Sequence, residues 1–260
     1  ARWIISDHAP WSNGYEALVF IGFMTVLAGI IFSKWFRLVL GAGALLGGIL
    51  LMTAHHSNYD PHITPLVPVL KSYWLMIHVA VITGSYGFLG LGAILGFISL
   101  ILHTLKTRAN HIRVQLGIDG ITYIAEMTMT IGLIMAAVGT FLGGVWANES
   151  WGRYWGWDAK ETWALVTILI YAFILHMRFI PGLRGEYAFN VATLFGWASV
   201  IMTYFGVNYY LSGLHSYAAG DPVPIPTFVY YAVGILTLIG GTALWRDRQF
   251  RRTSATQASS

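Results

Sequence analysis

Residues 73–104 read YWLMIHVAVITGSYGFLGLGAILGFISLILHT, thirty-two in a row without Asp, Glu, Lys or Arg. A bilayer core about 30 Å thick is crossed by roughly 20 helical residues at 1.5 Å each. This run is therefore long enough to span a membrane and to tilt or project beyond it. Working outward, six more apolar runs of spanning length appear: Gly14–Phe32, Leu38–Ala54, Ile124–Val145, Glu161–Met177, Tyr187–Leu211 and Phe228–Trp245. Only 10% of the 260 residues are charged, 56% are hydrophobic, and the mean hydropathy is +0.63. Soluble domains carry about 25% charged residues. The sequence predicts an all-α, polytopic membrane bundle of about seven transmembrane helices.

The formal charge of +4 does not point to nucleic acid, because the basic residues sit in short loops between helices. Lys34, Arg37, Lys106, Arg108, Arg113, Arg178, Arg184, Arg246, Arg248, Arg251 and Arg252 fall at one set of helix ends, and Arg2, Lys71, Arg153 and Lys160 at the other. Cytoplasmic loops carry the excess of Lys and Arg, so the N-terminus is expected outside and the C-terminus in the cytoplasm. Residues 1–252 read as one membrane domain, and 253–260 as a polar tail expected to be disordered. Gly41, Gly43 and Gly47, and Gly90, Gly92 and Gly96, superficially resemble dinucleotide fingerprints. Neither set follows a strand, so close helix packing is the expectation. There is no cysteine, hence no disulfide and no thiolate ligand within the chain. An opening Ala1 without Met is the start expected of the C-terminal portion of a longer polypeptide.

Chemistry concentrates between two of these helices. Trp146, Trp151, Trp155, Trp157 and Trp163 fall within eighteen residues, in a predicted external loop over 146–163 with Gly152, Gly156, Asp158, Lys160 and Glu161. An aromatic belt also places Trp at the headgroup level, but a belt spreads its rings over many helix ends. Flat apolar faces gathered in one loop suit a large planar ligand. Asp158 is placed either to cap the following helix or to meet such a ligand.

His78, just inside the third helix, and His215, after the sixth, lie at the same membrane face as the Trp segment. Neutral imidazole is a good axial ligand for haem iron, and two histidines flanking an aromatic platform suit a bis-His arrangement with one on each side of the plane; ligation of another metal stays open. Zinc wants three or four close ligands, and no such spacing stands out. His176 comes eighteen residues after Asp158, about 27 Å further along a helix. An ionisable group there is functional by default, although one so near the end can snorkel to water. His103 beside Lys106 reads as interfacial, and His55, His56 and His62 as loop chemistry. A second internal ligand to pair with His176 is expected from another chain or a preceding segment.

The run from Trp151 to Trp163, WGRYWGWDAKETW, resembles the tryptophan-rich "WWD" segment of haem-handling membrane proteins. Its continuation through Leu175-His-Met-Arg178 is similar to the CcsA (ResC) branch, the system II cytochrome c synthases. Arg2-Trp3, the stretch from His8 to Glu16, Trp74 with His78, and Gly213 to Tyr217 match as well. The resemblance implies an external haem b held by the Trp segment, with His78 and His215 as iron ligands. It also implies a second, internal haem served by His176 and a ligand from a CcsB (ResB) partner, either separate or fused N-terminally. The implied reaction joins two thiols of an apocytochrome c Cys-x-x-Cys-His motif to the haem vinyl groups, with a thioredoxin-like reductant as a further partner. The implied location is the bacterial plasma membrane with the haem site facing outward, or a thylakoid membrane. A related CcmC-like haem chaperone without ligation activity is the competing expectation. A b-type electron carrier would want paired internal histidines, which the spacing lacks.

Overall fold

A computed structural model describes residues 2–56, 59–63, 72–211 and 224–258. A short helix α1 (Arg2–Ser6) precedes α2 (Gly14–Phe32), α3 (Leu38–His56), α4 (Tyr73–Leu105), α5 (His111–Trp151) and α6 (Ala159–His176). A 3₁₀ turn (Met177–Phe179) leads to α7 (Glu186–Ile201), a π-helical turn (Met202–Gly206), α8 (Val207–Tyr210) and α9 (Thr227–Ala258). Seven of these stretches are long and apolar enough to cross a membrane. The chain is an all-helical integral membrane protein.

Its axis is α4, which packs against α2, α3, α5, α7 and α9. One helix can meet so many neighbours only if its surface is smooth in several directions, and glycine provides that. A Cβ on Gly87 would lie 2.9 Å from the Thr25 nitrogen and 3.0 Å from the Ile21 carbonyl oxygen, both backbone atoms of α2. A Cβ on Gly96 would lie 2.9 Å from the Asn190 carbonyl oxygen of α7. Gly90 and Gly92 likewise meet Trp197 and Met129, and Gly43 crosses Gly29 between α2 and α3. The glycine patterns thus serve close packing, as expected, except that Gly41 faces open space.

Two boundaries differ from the sequence reading. The fourth span, expected over Ile124–Val145, runs from His111 to Trp151. Its polar first turns lack a breaker, and Lys106 and Glu186 offer hydrogen-bonding partners to Gln115 (2.7 Å each). At its far end nothing stops the helix before Gly152, whose left-handed φ of 69° and N–H bond to the Asn148 carbonyl close it. Trp146 and Trp151 therefore belong to a helix, and only residues 152–158 form a loop. The expected disordered tail is helical through Ala258, as a continuation of α9.

Because the spans alternate in direction, residues 2–13, 59–63 and 152–158 share one end of the bundle, and the turns at 33–37, 106–110 and 177–185 the other. Gly87→Ala is expected to destabilise the detergent-solubilised protein by about 1–3 kcal/mol through overpacking. Gly48→Ala, which faces open space, is expected to be neutral or slightly stabilising. Thermal unfolding of the two variants side by side checks this.

Candidate functional site

His78 enters the bundle near the start of α4, facing α5. Its Nδ1 lies 2.7 Å from the backbone carbonyl of Gly139. A carbonyl only accepts, so Nδ1 carries the proton and Nε2 carries the lone pair. The ring fits because α5 is bare where it passes: a Cβ on Gly143 would come within 2.6 Å of the imidazole. One turn onward the ring stacks on Trp146, with centroids 6.5 Å apart and planes 8° from parallel. A helix-to-helix hydrogen bond, a missing side chain and an indole face thus fix one imidazole in tautomer and in orientation.

The indole wall continues from Trp146 to Trp151, 4.8 Å away in an edge contact. Beyond Gly152 the loop doubles back, and Trp157 adopts a left-handed φ of 57°. Glu161 holds this turn by accepting N–H bonds from Gly156 (2.8 Å) and Asp158 (3.1 Å), while Asp158 completes the reciprocal capping box on α6. Asp158 therefore acts as a helix cap. Trp155 faces inward, and Trp157 stands edge-on to it, exposed.

The N-terminal segment supplies a further wall. Glu16 is 1% exposed, and its carboxylate accepts from Arg2 Nε (3.0 Å), Ser12 N (3.0 Å) and Ser12 Oγ (2.7 Å). Arg2 also donates to the Pro61 carbonyl (3.0 Å), and Trp11 Nε1 to the Met76 carbonyl (3.1 Å). The chain before α2 is thereby bound onto the start of α4 and the 59–63 loop. The last wall comes from the π-helical turn and α8. There Thr203 bonds Thr167 (3.0 Å) and the Trp163 carbonyl (3.2 Å), and Tyr204 donates to the Gly14 carbonyl (2.5 Å). A π turn inside a helix commonly marks a functional site.

These walls enclose a cavity of about 370 Å³, within the range of small-molecule sites. His78, Trp11, Trp146, Trp151, Trp155 and Lys160 line it, with Tyr86, Thr203, Tyr204 and Asn208 on its inner side. Of the predicted residues, the structure thus brings together His78, Trp146, Trp151 and Trp155. Trp157 and Asp158 are not part of the lining, and Trp163 touches the site through its carbonyl. Tyr86, Thr203, Tyr204 and Asn208 were not anticipated; the available signal was the presence of polar groups within otherwise apolar spans.

His215 lies outside the described residues. His176 is at the opposite end of α6, exposed on the outer surface of the bundle, with Nδ1 2.7 Å from the Ala172 carbonyl. Beside it Arg178 pairs with Glu126. His103 is buried, 3% exposed, with Nδ1 3.9 Å from an Asp247 oxygen and its ring edge-on to Tyr187. At that end of α4 the helix α9 extends far enough to cover it. In the 59–63 loop His62 Nδ1 lies 2.5 Å from Asp60. The backbone and side-chain bonds from His62 hold that carboxyl below its usual range. Among the described residues no group of three or more His, Asp or Glu could hold a metal ion.

A helical membrane bundle with one end built as an indole-lined, imidazole-bearing cavity is the class of protein these features define. The family model described as "Cytochrome C assembly protein" matches residues 11–215. Protein NrfI of Wolinella succinogenes is 49% identical over 225 residues, covering 86% of this chain and 25% of NrfI. The cytochrome c biogenesis proteins CcsA of Guillardia theta and Chlamydomonas reinhardtii are 36% and 38% identical, each over 83% of this chain. The chain spans 79% of the first and 63% of the second. It belongs to the cytochrome c assembly protein family and to cytochrome c biogenesis.

Glu16→Ala is expected to cost about 1–3 kcal/mol, since Arg2 and the Ser12 N–H would lose their acceptor. Thermal unfolding and limited proteolysis after residues 2–13 should both register it, with Glu16→Gln intermediate.

Proposed function

We propose that the cavity holds haem b, with His78 as one axial ligand and His215 as the other. From there the haem is presented for covalent attachment to apocytochrome c at the external face of the membrane. The observation that supports this most is the pinned imidazole: Nδ1–H on the Gly139 carbonyl leaves the basic Nε2 for iron, as second-shell bonds do in metal sites. Indoles on the adjoining walls give the porphyrin faces to stack on. The count of basic residues at helix ends supports an outward-facing cavity.

The attachment adds a cysteine S–H across each vinyl C=C. The sulfur bonds to one vinyl carbon, the thiol hydrogen goes to the other, and no electron is lost. Both thiols come from the apocytochrome, in keeping with a chain that has no cysteine. The residues of this chain contribute position: they hold the porphyrin plane, keep water from its faces and leave an edge for the peptide. Proximity of this kind is a large catalytic term in itself. His176, facing outward from the bundle, serves an internal haem whose opposite ligand comes from a CcsB-type partner or fused segment. A thioredoxin-like protein keeps the substrate thiols reduced.

The assay mixes the purified protein, its CcsB-type partner and an apocytochrome c carrying Cys-x-x-Cys-His. A haem-staining band that survives denaturation is the expected result. Haem transfer without such a band would identify a chaperone instead. His78→Ala should lower haem retention on the order of tenfold or more and abolish the low-spin spectrum, with added imidazole restoring it. An unchanged spectrum would remove His78 from the iron. His176→Ala should deplete the internal haem first, read as a loss of total haem with the external low-spin signal depleted only as supply fails.

A further inference from the structure

Most polar atoms around the cavity are already engaged. Asn13 caps α2, Ser12 and Arg2 hold Glu16, and Glu161 holds the Trp loop. Two atoms are not. Asn208 is 5% exposed, and its Nδ2 donates to the Tyr204 carbonyl (2.6 Å). That bond fixes the amide, because flipping it would set oxygen against oxygen. Its Oδ1 is buried without a hydrogen-bond partner, on a residue that lines the cavity, and the same holds for Trp155 Nε1. One is an acceptor and the other a donor. A buried polar atom with no partner costs about 1–3 kcal/mol, so a pair of them on residues lining one cavity points to what its occupant must offer.

The helix register places Asn208 toward the Trp loop. Thr203 on the π turn reaches Thr167 and the Trp163 carbonyl. Residue 208, more than a turn further along an antiparallel helix, is therefore level with the first turn of α6, which follows Trp155 directly. The extra residue of the π turn decides that Thr203, Tyr204 and Asn208 all present to the cavity.

Building on the haem reading above, we propose that Asn208 and Trp155 recognise the carboxylic acid side chains of the porphyrin. An acid O–H donates to Asn208 Oδ1, and Trp155 Nε1 donates to a carboxyl carbonyl oxygen. An ionised carboxylate offers no hydrogen to Asn208, so the side chain bound there is the neutral acid. The two acid side chains sit on one edge of the ring. Anchoring that edge at α8 directs the vinyl-bearing edge away from it and decides which part of the porphyrin meets the apocytochrome. Asn208 and Trp155 are positioning residues, and the substrate feature they select is the acid edge.

The test titrates the full-length protein, assembled with its CcsB-type partner, with iron protoporphyrin IX and with its dimethyl ester, which keeps the ring, iron and vinyl groups but has no acid hydrogen. Wild type should bind the free acid about five- to tenfold more tightly than the ester, the equivalent of roughly one good hydrogen bond. Asn208→Leu should bring acid and ester to the same affinity. Trp155→Phe, which keeps a flat ring and leaves Asn208 in place, should reduce the preference in part, so a folding failure of Asn208→Leu does not end the test. Equal binding of acid and ester by wild type would overturn this inference while leaving the haem reading intact, and so would a full preference retained in either variant. Binding of neither porphyrin would overturn both.

Discussion

The bond from His78 Nδ1 to the Gly139 carbonyl is the constraint on which the site depends. It joins α4 to α5 and selects one tautomer of a residue that lines the cavity. It exists only because α5 carries glycine at 139 and 143. A Cβ at 139 would meet the Ile82 backbone nitrogen at 3.0 Å, and one at 143 would occupy the imidazole's place. The glycine content that lets α4 serve as the axis of the bundle is thus the same property that admits a ring between helices. Packing and the placement of the imidazole share one cause.

A bilayer also forces the division of labour between the two ends. Within the spans several hydroxyls bond carbonyls of their own helices, as Thr25, Thr128, Thr193 and Ser199 do. Groups that cannot be satisfied within a helix gather where chains turn. At one end Arg2, Glu16 and Ser12 tie down the wall of the cavity. At the other Lys106, Gln115 and Glu186 bridge the starts of α5 and α7. The capping box of Asp158 and Glu161 lies between a loop of indoles and a spanning helix, so the fold of the Trp segment and the entry of α6 are fixed by one pair of carboxylates.

The class of fold was readable from charge depletion alone, because a run such as 73–104 has no alternative to a membrane helix. The Trp segment and His78 were readable from their spacing and their shared face. Other features were not. The sequence reading ended α5 at Val145, because a hydropathy criterion stops at the first polar residues, whereas the helix stops only at a residue that can break it, Gly152. His103 sits in the last turn of α4, and only the course of α9 shows that it is covered. Trp157 and Trp163 resembled Trp155 in composition, but a left-handed φ at 157 and the start of α6 send their rings elsewhere. Tyr204 and Asn208 depend on a π turn, a backbone event with no residue pattern of its own.

The most direct test is to locate the iron in an experimental structure of the haem-loaded protein assembled with its CcsB-type partner. Iron bound to Nε2 of His78, with Nδ1 still on the Gly139 carbonyl and the porphyrin against Trp146, is the predicted result. Iron bound through Nδ1, or a porphyrin outside the cavity with His78 unligated, would contradict the account.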